Sequence, residues 1–138
     1  MNEMEKTQLL GMTPDELTAY FKQLGQPAFR ARQVFSWLHQ GAGFEQMSNL
    51  PKALRETLAE TCVANPVAVL ETIESKLDGT IKLLYRLPDG NVIEGVLMRY
   101  KYGNTLCLST QVGCRMGCAF CASTLDGCAR SLTPAEML

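Results

Sequence analysis

Three cysteines, Cys114, Cys118 and Cys121, form a C-x3-C-x2-C run, with Phe120 directly before the third. A loop this short can turn three thiolates toward one small inorganic group, which is how cysteine-ligated iron–sulfur clusters are held. Three cysteines leave a four-iron cluster one ligand short. The run therefore predicts either a fourth protein ligand from elsewhere or an iron left open for a substrate or cofactor.

Zinc is the main alternative for such a group of thiols. Structural zinc sites favour pairs of ligands at C-x2-C spacing, separated by a longer interval and adding up to four. Here the cysteines form one compact triplet, and Cys128 is the only nearby candidate for a fourth ligand. The spacing favours an iron–sulfur cluster over zinc, and a disulfide within the triplet is less favoured still.

Two residues before the triplet could also take part in chemistry. Alternation along a predicted strand places Glu94 between Val92 and Val96 on one face. A carboxylate among apolar side chains loses hydration and tends to take up a proton, which suits a general acid or base; a solvent-facing position without a role is the alternative. On the next predicted strand, Cys107 lies on the small polar face and is the residue there with reactive chemistry.

The composition excludes several classes of protein. The 138 residues are 46% hydrophobic and 20% charged, which predicts a globular chain, and no apolar run is long enough to span a bilayer. Residues 1–20 lack a secretory signal, so we expect a cytoplasmic protein whose six cysteines are reduced thiols. A net charge of −1 argues against binding nucleic acid by bulk electrostatics, although Arg99–Arg130 contains four cations and one anion.

The elements that must position these residues follow from the periodicity. Apolar residues at helical spacing predict helices over about 13–24, 27–39 and 48–61, the first opened by the capping-box pattern from Thr13 to Glu16. After Asn65 the period changes to alternation. It predicts strands over 67–75, 81–87, 91–99 and 105–112, followed by the start of a helix at Pro134.

The triplet spacing, with an aromatic before the last cysteine, resembles the signature of the radical S-adenosylmethionine superfamily. The run Leu106–Cys114, the rest of the triplet and the following Ser123-Thr124, Gly127, Arg130 and Leu132 resemble the bacterial enzymes of that superfamily that methylate adenine carbon 2 in 23S ribosomal RNA and some transfer RNAs. The resemblance covers essentially all 138 residues but only the first part of that family's chain. We therefore expect a fragment of a longer protein.

The resemblance implies a role for each residue singled out above. It implies a [4Fe–4S] cluster on Cys114, Cys118 and Cys121, with S-adenosylmethionine on the open iron and Phe120 beside the cofactor. It makes Glu94 the proton acceptor. It makes Cys107 the cysteine that pairs in a transient disulfide with a methyl-carrying cysteine near the family's C-terminus, which releases the methylated base.

The implied fold is α/β, and α+β within these 138 residues. The resemblance divides the chain into a helical accessory domain over 1–64, a candidate for RNA docking; a β-hairpin extension over 65–104, which carries Glu94; and, over 105–138, the first strand and cluster loop of a partial (β/α) barrel, here truncated. Charges in residues 1–60 nearly cancel, with six Lys/Arg against seven Asp/Glu, so the first domain is expected to recognise RNA by shape.

The resemblance also implies partners and leaves alternatives open. It implies 23S ribosomal RNA and transfer RNA as substrates, a reductase such as flavodoxin as electron donor, a monomer with no membrane contact, and no catalysis by these residues alone. Cys128 and Ser131 depart from the family's usual residues, an apolar side chain and Asn. The alternatives are a relative that methylates adenine carbon 8, and a non-catalytic module that binds zinc or RNA.

Overall fold

A computed structural model describes residues 6–138; residues 1–5, the start of the predicted helical domain, lie outside the described residues. The chain forms two compact units. One contains the described residues up to Pro66 together with Pro134–Glu136 and Leu138, and the other contains Val67–Thr133 and Met137. None of the described helices combines the length and the apolarity that crossing a bilayer requires.

The first unit is helical, as the periodicity predicts. Its first helix begins with the predicted capping box: Thr13 accepts a hydrogen bond from the backbone of Glu16, and the Glu16 carboxylate accepts one from the Thr13 backbone at 2.7 Å. The helices are α1 (Pro14–Gln23), α2 (Ala28–Leu38) and α3 (Lys52–Thr61), with a 3-10 turn at Phe44–Gln46.

The core of this unit is made by the helical faces that the apolar spacing selects. Leu17, Phe21, Val34 and Leu58 are fully buried. Two short strands that the sequence pattern did not predict, β1 (Thr7–Gln8) and β2 (Cys62–Val63), pair in parallel beside this core. Two-residue strands carry too little alternation to be recognised from sequence.

The second unit is built on a four-stranded antiparallel sheet with its strands in chain order. Adjacent strands are joined by hairpins, including the predicted turns at Asp78-Gly79 and Pro88-Asp89-Gly90, where both glycines have positive φ. A bulge at Leu70 interrupts the pairing of the first two strands. The strands are β3 (Ala68–Glu74), β4 (Ile81–Arg86), β5 (Val92–Tyr100) and β6 (Gly103–Leu108).

The fourth predicted strand, 105–112, is wrong as one element. β6 ends at Leu108, and a separate strand, β7 (Gln111–Gly113), pairs instead with β8 (Cys128–Ser131) in a second, two-stranded sheet. The alternation of side chains continues through β6 and β7, so it could not reveal that the two strands pair with different partner strands. Because β6 pairs with β5 throughout, the predicted domain boundary after residue 104 falls inside a strand of the four-stranded sheet.

The second unit has a small core of its own. Leu87, Ile93 and Leu132 are buried together, with Tyr85 and Val112 packed against them. The backbone N–H of Leu132 donates to the carbonyl of Thr110 at 2.9 Å and so extends the contact between the segments around β7 and β8. The predicted final helix is present as α4 (Pro134–Met137), whose first three residues belong to the first unit.

Candidate functional site

Glu94 and Cys107 lie on the same face of the four-stranded sheet. Val96 is opposite Cys107 across the β5–β6 pair, and residues directly opposite share a face. Glu94 precedes Val96 by two positions on β5 and therefore points to that face as well. The two are diagonal neighbours, about 7–8 Å apart for this type of pair.

Glu94 faces solvent, which is one of the two positions that the sequence left open. Its side chain is 56% exposed, and its carboxylate pairs with the ammonium of Lys82 at 2.9 Å. The apolar neighbours on β5 do not desolvate it, because no described element covers this part of the face. Of the two positions that the sequence left open, the structure shows the solvent-facing one, and the ion pair stabilises the fold by no more than about 1 kcal/mol.

Lys82 is a site residue that the sequence analysis missed. It lies on β4 opposite Val96 and two positions from Leu84, which is opposite Glu94. The signal was available in the antiparallel register: once the turn at Asp89-Gly90 is placed, Lys82 falls on the Glu94 face. The Ser109 hydroxyl also donates to the Glu94 backbone carbonyl at 2.9 Å, which fixes β5 where β6 has ended.

Cys107 is exposed, and like the other five cysteines it is a free thiol. It lies one residue before the end of β6, paired with Val96, so its position is set by the pairing of β5 with β6. An exposed thiol can react with a second sulfur atom, either as the nucleophile or as the group attacked. What the arrangement offers is therefore a carboxylate and a thiol side by side on an open sheet face.

The cysteine triplet lies in a loop whose two ends are tied together. β7 and β8 pair at its base, and the Cys114 backbone N–H donates to the Gly127 carbonyl at 2.9 Å. Gly113 has a φ of +80°, and a Cβ at that position would overlap the Gly127 carbonyl oxygen. Only glycine therefore allows the two sides of the loop to approach this closely. We call this base, formed by residues 111–114 and 127–131, the neck.

Within the loop, turns order the backbone between the cysteines. The Cys121 N–H donates to the Cys118 carbonyl at 3.1 Å, which closes a turn across the C-x2-C segment. The Gly117 N–H donates to the Thr124 hydroxyl at 2.7 Å, and Gly117 has a φ of +67°. The cysteines are thus held in a folded loop rather than on a strand or helix.

Three cysteine thiols are the type of donor that holds an iron–sulfur cluster. Cys114 and Cys121 are half-buried and Cys118 is exposed, and all three are free. Among the described residues, no three Cys, His, Asp or Glu side chains converge in a geometry that would hold a metal ion. Phe120 is 94% exposed beside the third cysteine. Cys128, the candidate fourth ligand, is half-buried in the neck opposite Gly113.

An ion pair joins the neck to the β4–β5 turn, and it too was not predicted. The Arg130 guanidinium donates to the Asp89 carboxylate at 2.6 Å, and both side chains are about one-third exposed. The hydrogen bond from Arg130 is the main cause that lowers the pKa of Asp89 to about 2. The pair connects the hairpin of Glu94 to the base of the cysteine loop. Nothing in the local sequence pattern signals a contact over 41 positions.

This chain is similar to one protein family and to several RNA methyltransferases. Residues 7–64 match the family described as the ribosomal RNA large subunit methyltransferase N-terminal domain. The chain is 52% identical over 136 residues to a probable dual-specificity RNA methyltransferase RlmN of Lachnoclostridium phytofermentans, covering 97% of this chain and 38% of that protein. It is 49% identical to the protein of the same name in Clostridium beijerinckii, covering 94% of this chain and 37% of the relative.

A solved structure gives the same picture. The crystal structure of a radical SAM methyltransferase from Sphaerobacter thermophilus superposes with a TM-score of 0.89 at 42% identity, covering 95% of this chain and 39% of that one. The mixed helix and sheet arrangement described above is therefore that of the matching part of this enzyme. The chain spans about two fifths of the length of the relatives it matches.

Proposed function

Because this chain is homologous over nearly its whole length to the N-terminal part of RlmN-type radical S-adenosylmethionine methyltransferases, we propose that it is part of an enzyme that methylates carbon 2 of adenosine in 23S ribosomal RNA and in transfer RNA. The observation that carries the proposal is the looped C-x3-C-x2-C triplet, tied at its neck, in the same unit as the sheet face of Glu94 and Cys107.

Cys114, Cys118 and Cys121 would hold a [4Fe–4S] cluster with S-adenosylmethionine, and exposed Phe120 would contact that cofactor. When bound, these groups supply one-electron chemistry, which adenine carbon 2 requires because it is electron-poor and does not attack a methyl donor. The chain's own part is to hold the three thiols in one loop. The neck does this through backbone hydrogen bonds that do not involve the thiols.

Glu94 is proposed as the group that removes the ring proton from carbon 2. A side-chain oxygen of Glu94 lies 2.9 Å from the Lys82 nitrogen, and a carboxylate oxygen is the kind of group that can accept a proton. An ion pair on an open face is weak, so the adenine ring of the substrate can displace Lys82 from Glu94 at a small cost in free energy. Lys82 would then keep the carboxylate oriented until substrate binds.

Cys107 is proposed to release the product. Its exposed thiol lies on the face of Glu94, so a base held over Glu94 also lies beside this sulfur. As the thiolate, it would attack the sulfur of a thioether that links the base to a second cysteine. The new S–S bond forms as the carbon–sulfur bond breaks, the methylene carbon keeps the electron pair of that bond, and it takes up a proton from water to become the methyl group. The family resemblance places that second cysteine outside these 138 residues.

Anaerobic reconstitution of the chain with iron and sulfide, followed by electron paramagnetic resonance after reduction, tests the proposal. We expect a cluster signal in the wild-type chain that is lost in Cys118→Ala. The matched control is Cys128→Ala, a cysteine of the same unit, which should keep the signal. Loss in both variants would mean four protein ligands and no open iron. Stoichiometric zinc without iron would refute the enzyme and support a zinc module.

The finer parts of the proposal concern the whole protein. We propose a cytoplasmic monomer that receives electrons from a reductase such as flavodoxin, and we expect no methylation by these 138 residues alone. Methylation by the isolated chain would contradict the last point. Mass-spectrometric mapping of the methylated base made by the complete protein separates carbon 2 from carbon 8.

A further inference from the structure

The tip of the β5–β6 hairpin carries two stacked tyrosines. β5 ends at Tyr100 and β6 begins at Gly103, so Lys101 and Tyr102 form a two-residue loop. The rings of Tyr100 and Tyr102 lie with their centroids 5.0 Å apart and their planes within 14°. Their exposed fractions are 48% and 80%. A large aromatic surface thus stands open at a chain reversal, where hairpins usually carry small polar residues.

The inner ring of this stack is fixed. The Tyr100 hydroxyl donates to the Met98 sulfur at 3.3 Å, two positions back on the same face of β5. Tyr102 stacks on this ring with one face and is 80% exposed. A rigid aromatic platform with one free face is the arrangement on which unpaired nucleic-acid bases stack, because every base presents a π-face.

The charges around the tip suit a polyanion. Arg99 and Lys101 alternate with the two tyrosines, and residues 95–125 contain these two cations and Arg115 but no Asp or Glu. Among the described residues, no ion pair joins Arg99 or Lys101 to a carboxylate. The phosphates that accompany a stacked base would therefore meet positive charge without displacing an internal partner.

The position of the tip relative to Glu94 makes the stack useful. Tyr100 lies six residues from Glu94 on the same strand and on the same face, a separation of about 20 Å. That is too far for contact with the base above Glu94, and suits a nucleotide farther along the same RNA. The path between them runs over Val96 and Met98 on β5.

We propose that Tyr102, held by Tyr100, is a stacking platform for an unpaired base that flanks the methylated adenosine, with Lys101 beside its phosphate. The proposal rests on the proposed RNA substrate and adds the surface that binds it. It assigns part of the RNA recognition to this hairpin tip, which lies in a different unit from the helices of residues 6–66.

The test is equilibrium binding of the 138-residue chain to a labelled single-stranded RNA, measured by fluorescence anisotropy at several salt concentrations. Tyr102→Leu removes the π-face and keeps an apolar side chain; we expect affinity to fall about 5- to 150-fold. Tyr102→Phe keeps the ring and should stay within about twofold of wild type. Lys101→Gln should reduce the salt slope by about 0.7.

Leu77→Ala is the matched control, because Leu77 is an exposed apolar residue of the same unit, in the loop between β3 and β4; its affinity should equal that of the wild type. Equal affinities of Tyr102→Leu and Tyr102→Phe for the RNA would overturn the platform. Absence of RNA binding by the wild-type chain would overturn it too, and is the result expected if the tip binds a protein instead. Cluster formation is measured on the same samples. A chain that binds RNA through Tyr102 but assembles no cluster refutes the enzyme and leaves the platform.

Discussion

Gly113 is the residue at which the neck of the cysteine loop is most sensitive to substitution. Gly113→Ala introduces a Cβ where the backbone has a φ of +80° and where the Gly127 carbonyl oxygen already lies. Backbone atoms cannot yield by rotating a side chain, so the two sides of the neck must separate. The first bond to be lost is the one from the Cys114 N–H to the Gly127 carbonyl, now 2.9 Å.

The expected loss of folding free energy in Gly113→Ala has two parts. The left-handed backbone costs a non-glycine residue about 1–2 kcal/mol, and loss of the hydrogen bond adds about 0.5–1.5 kcal/mol. Gly127→Ala is the matched control: it lies in the same neck with a φ of +68°, but a Cβ there meets no atom within 4 Å. It should cost only the first part. The two variants should therefore differ by about 0.5–1.5 kcal/mol.

Native-state hydrogen exchange at the Cys114 amide measures this difference directly. Exchange in Gly113→Ala should be about 2- to 12-fold faster than in Gly127→Ala, because the bond that protects this amide is absent in one variant and present in the other. The helices of the first unit serve as an internal reference and should exchange equally in both. Equal rates at Cys114 would mean that the overlap relaxes without opening the neck, and the assigned reason for glycine would be wrong.

Three further predictions follow from single contacts. Arg130 lowers the pKa of Asp89 to about 2, so the pair stabilises the fold above pH about 4, and this stabilisation disappears as the pH falls toward 2. After allowance for solvent screening, the stabilisation is about 1 kcal/mol. In urea titrations at different pH values, Asp89→Asn should lack this loss of stability at acid pH. Lys82→Met should change stability by less than about 1 kcal/mol, and a larger loss would show that the pair with Glu94 is structural. Thr13→Ala should lower the thermal stability of the helical unit by about 1 kcal/mol, and an unchanged calorimetric melting temperature would contradict the observed cap.

Local patterns predicted the elements well where a single segment determines them. The helix from Pro14 follows from a capping box and apolar spacing, both of which act within one turn. The alternation of β4 and β5 likewise gave the faces of the sheet. The split between β6 and β7 was not predictable in this way, because it depends on which distant segment pairs with residues 111–113.

In the candidate site, too, local features could be predicted from the sequence and long-range contacts could not. The cysteine triplet is recognisable because its members are close in sequence. The exposure of Glu94 and its pair with Lys82 depend on what covers the sheet, which alternation does not report. The contact of Arg130 with Asp89 joins positions 41 residues apart and could only be seen in the folded chain.

The β5–β6 hairpin carries Glu94, Tyr100 and Cys107 on one continuous ladder, with Tyr102 in the loop at its tip, and this limits how the segment can vary among related proteins. One residue inserted between Glu94 and the tip, or between the tip and Cys107, would turn one of these side chains to the opposite face. Insertions in the loop after Tyr100 leave the ladder intact. Length variation should therefore be confined to the tip, so that the surface proposed to meet RNA can diverge while the spacing of Glu94 and Cys107 stays constant.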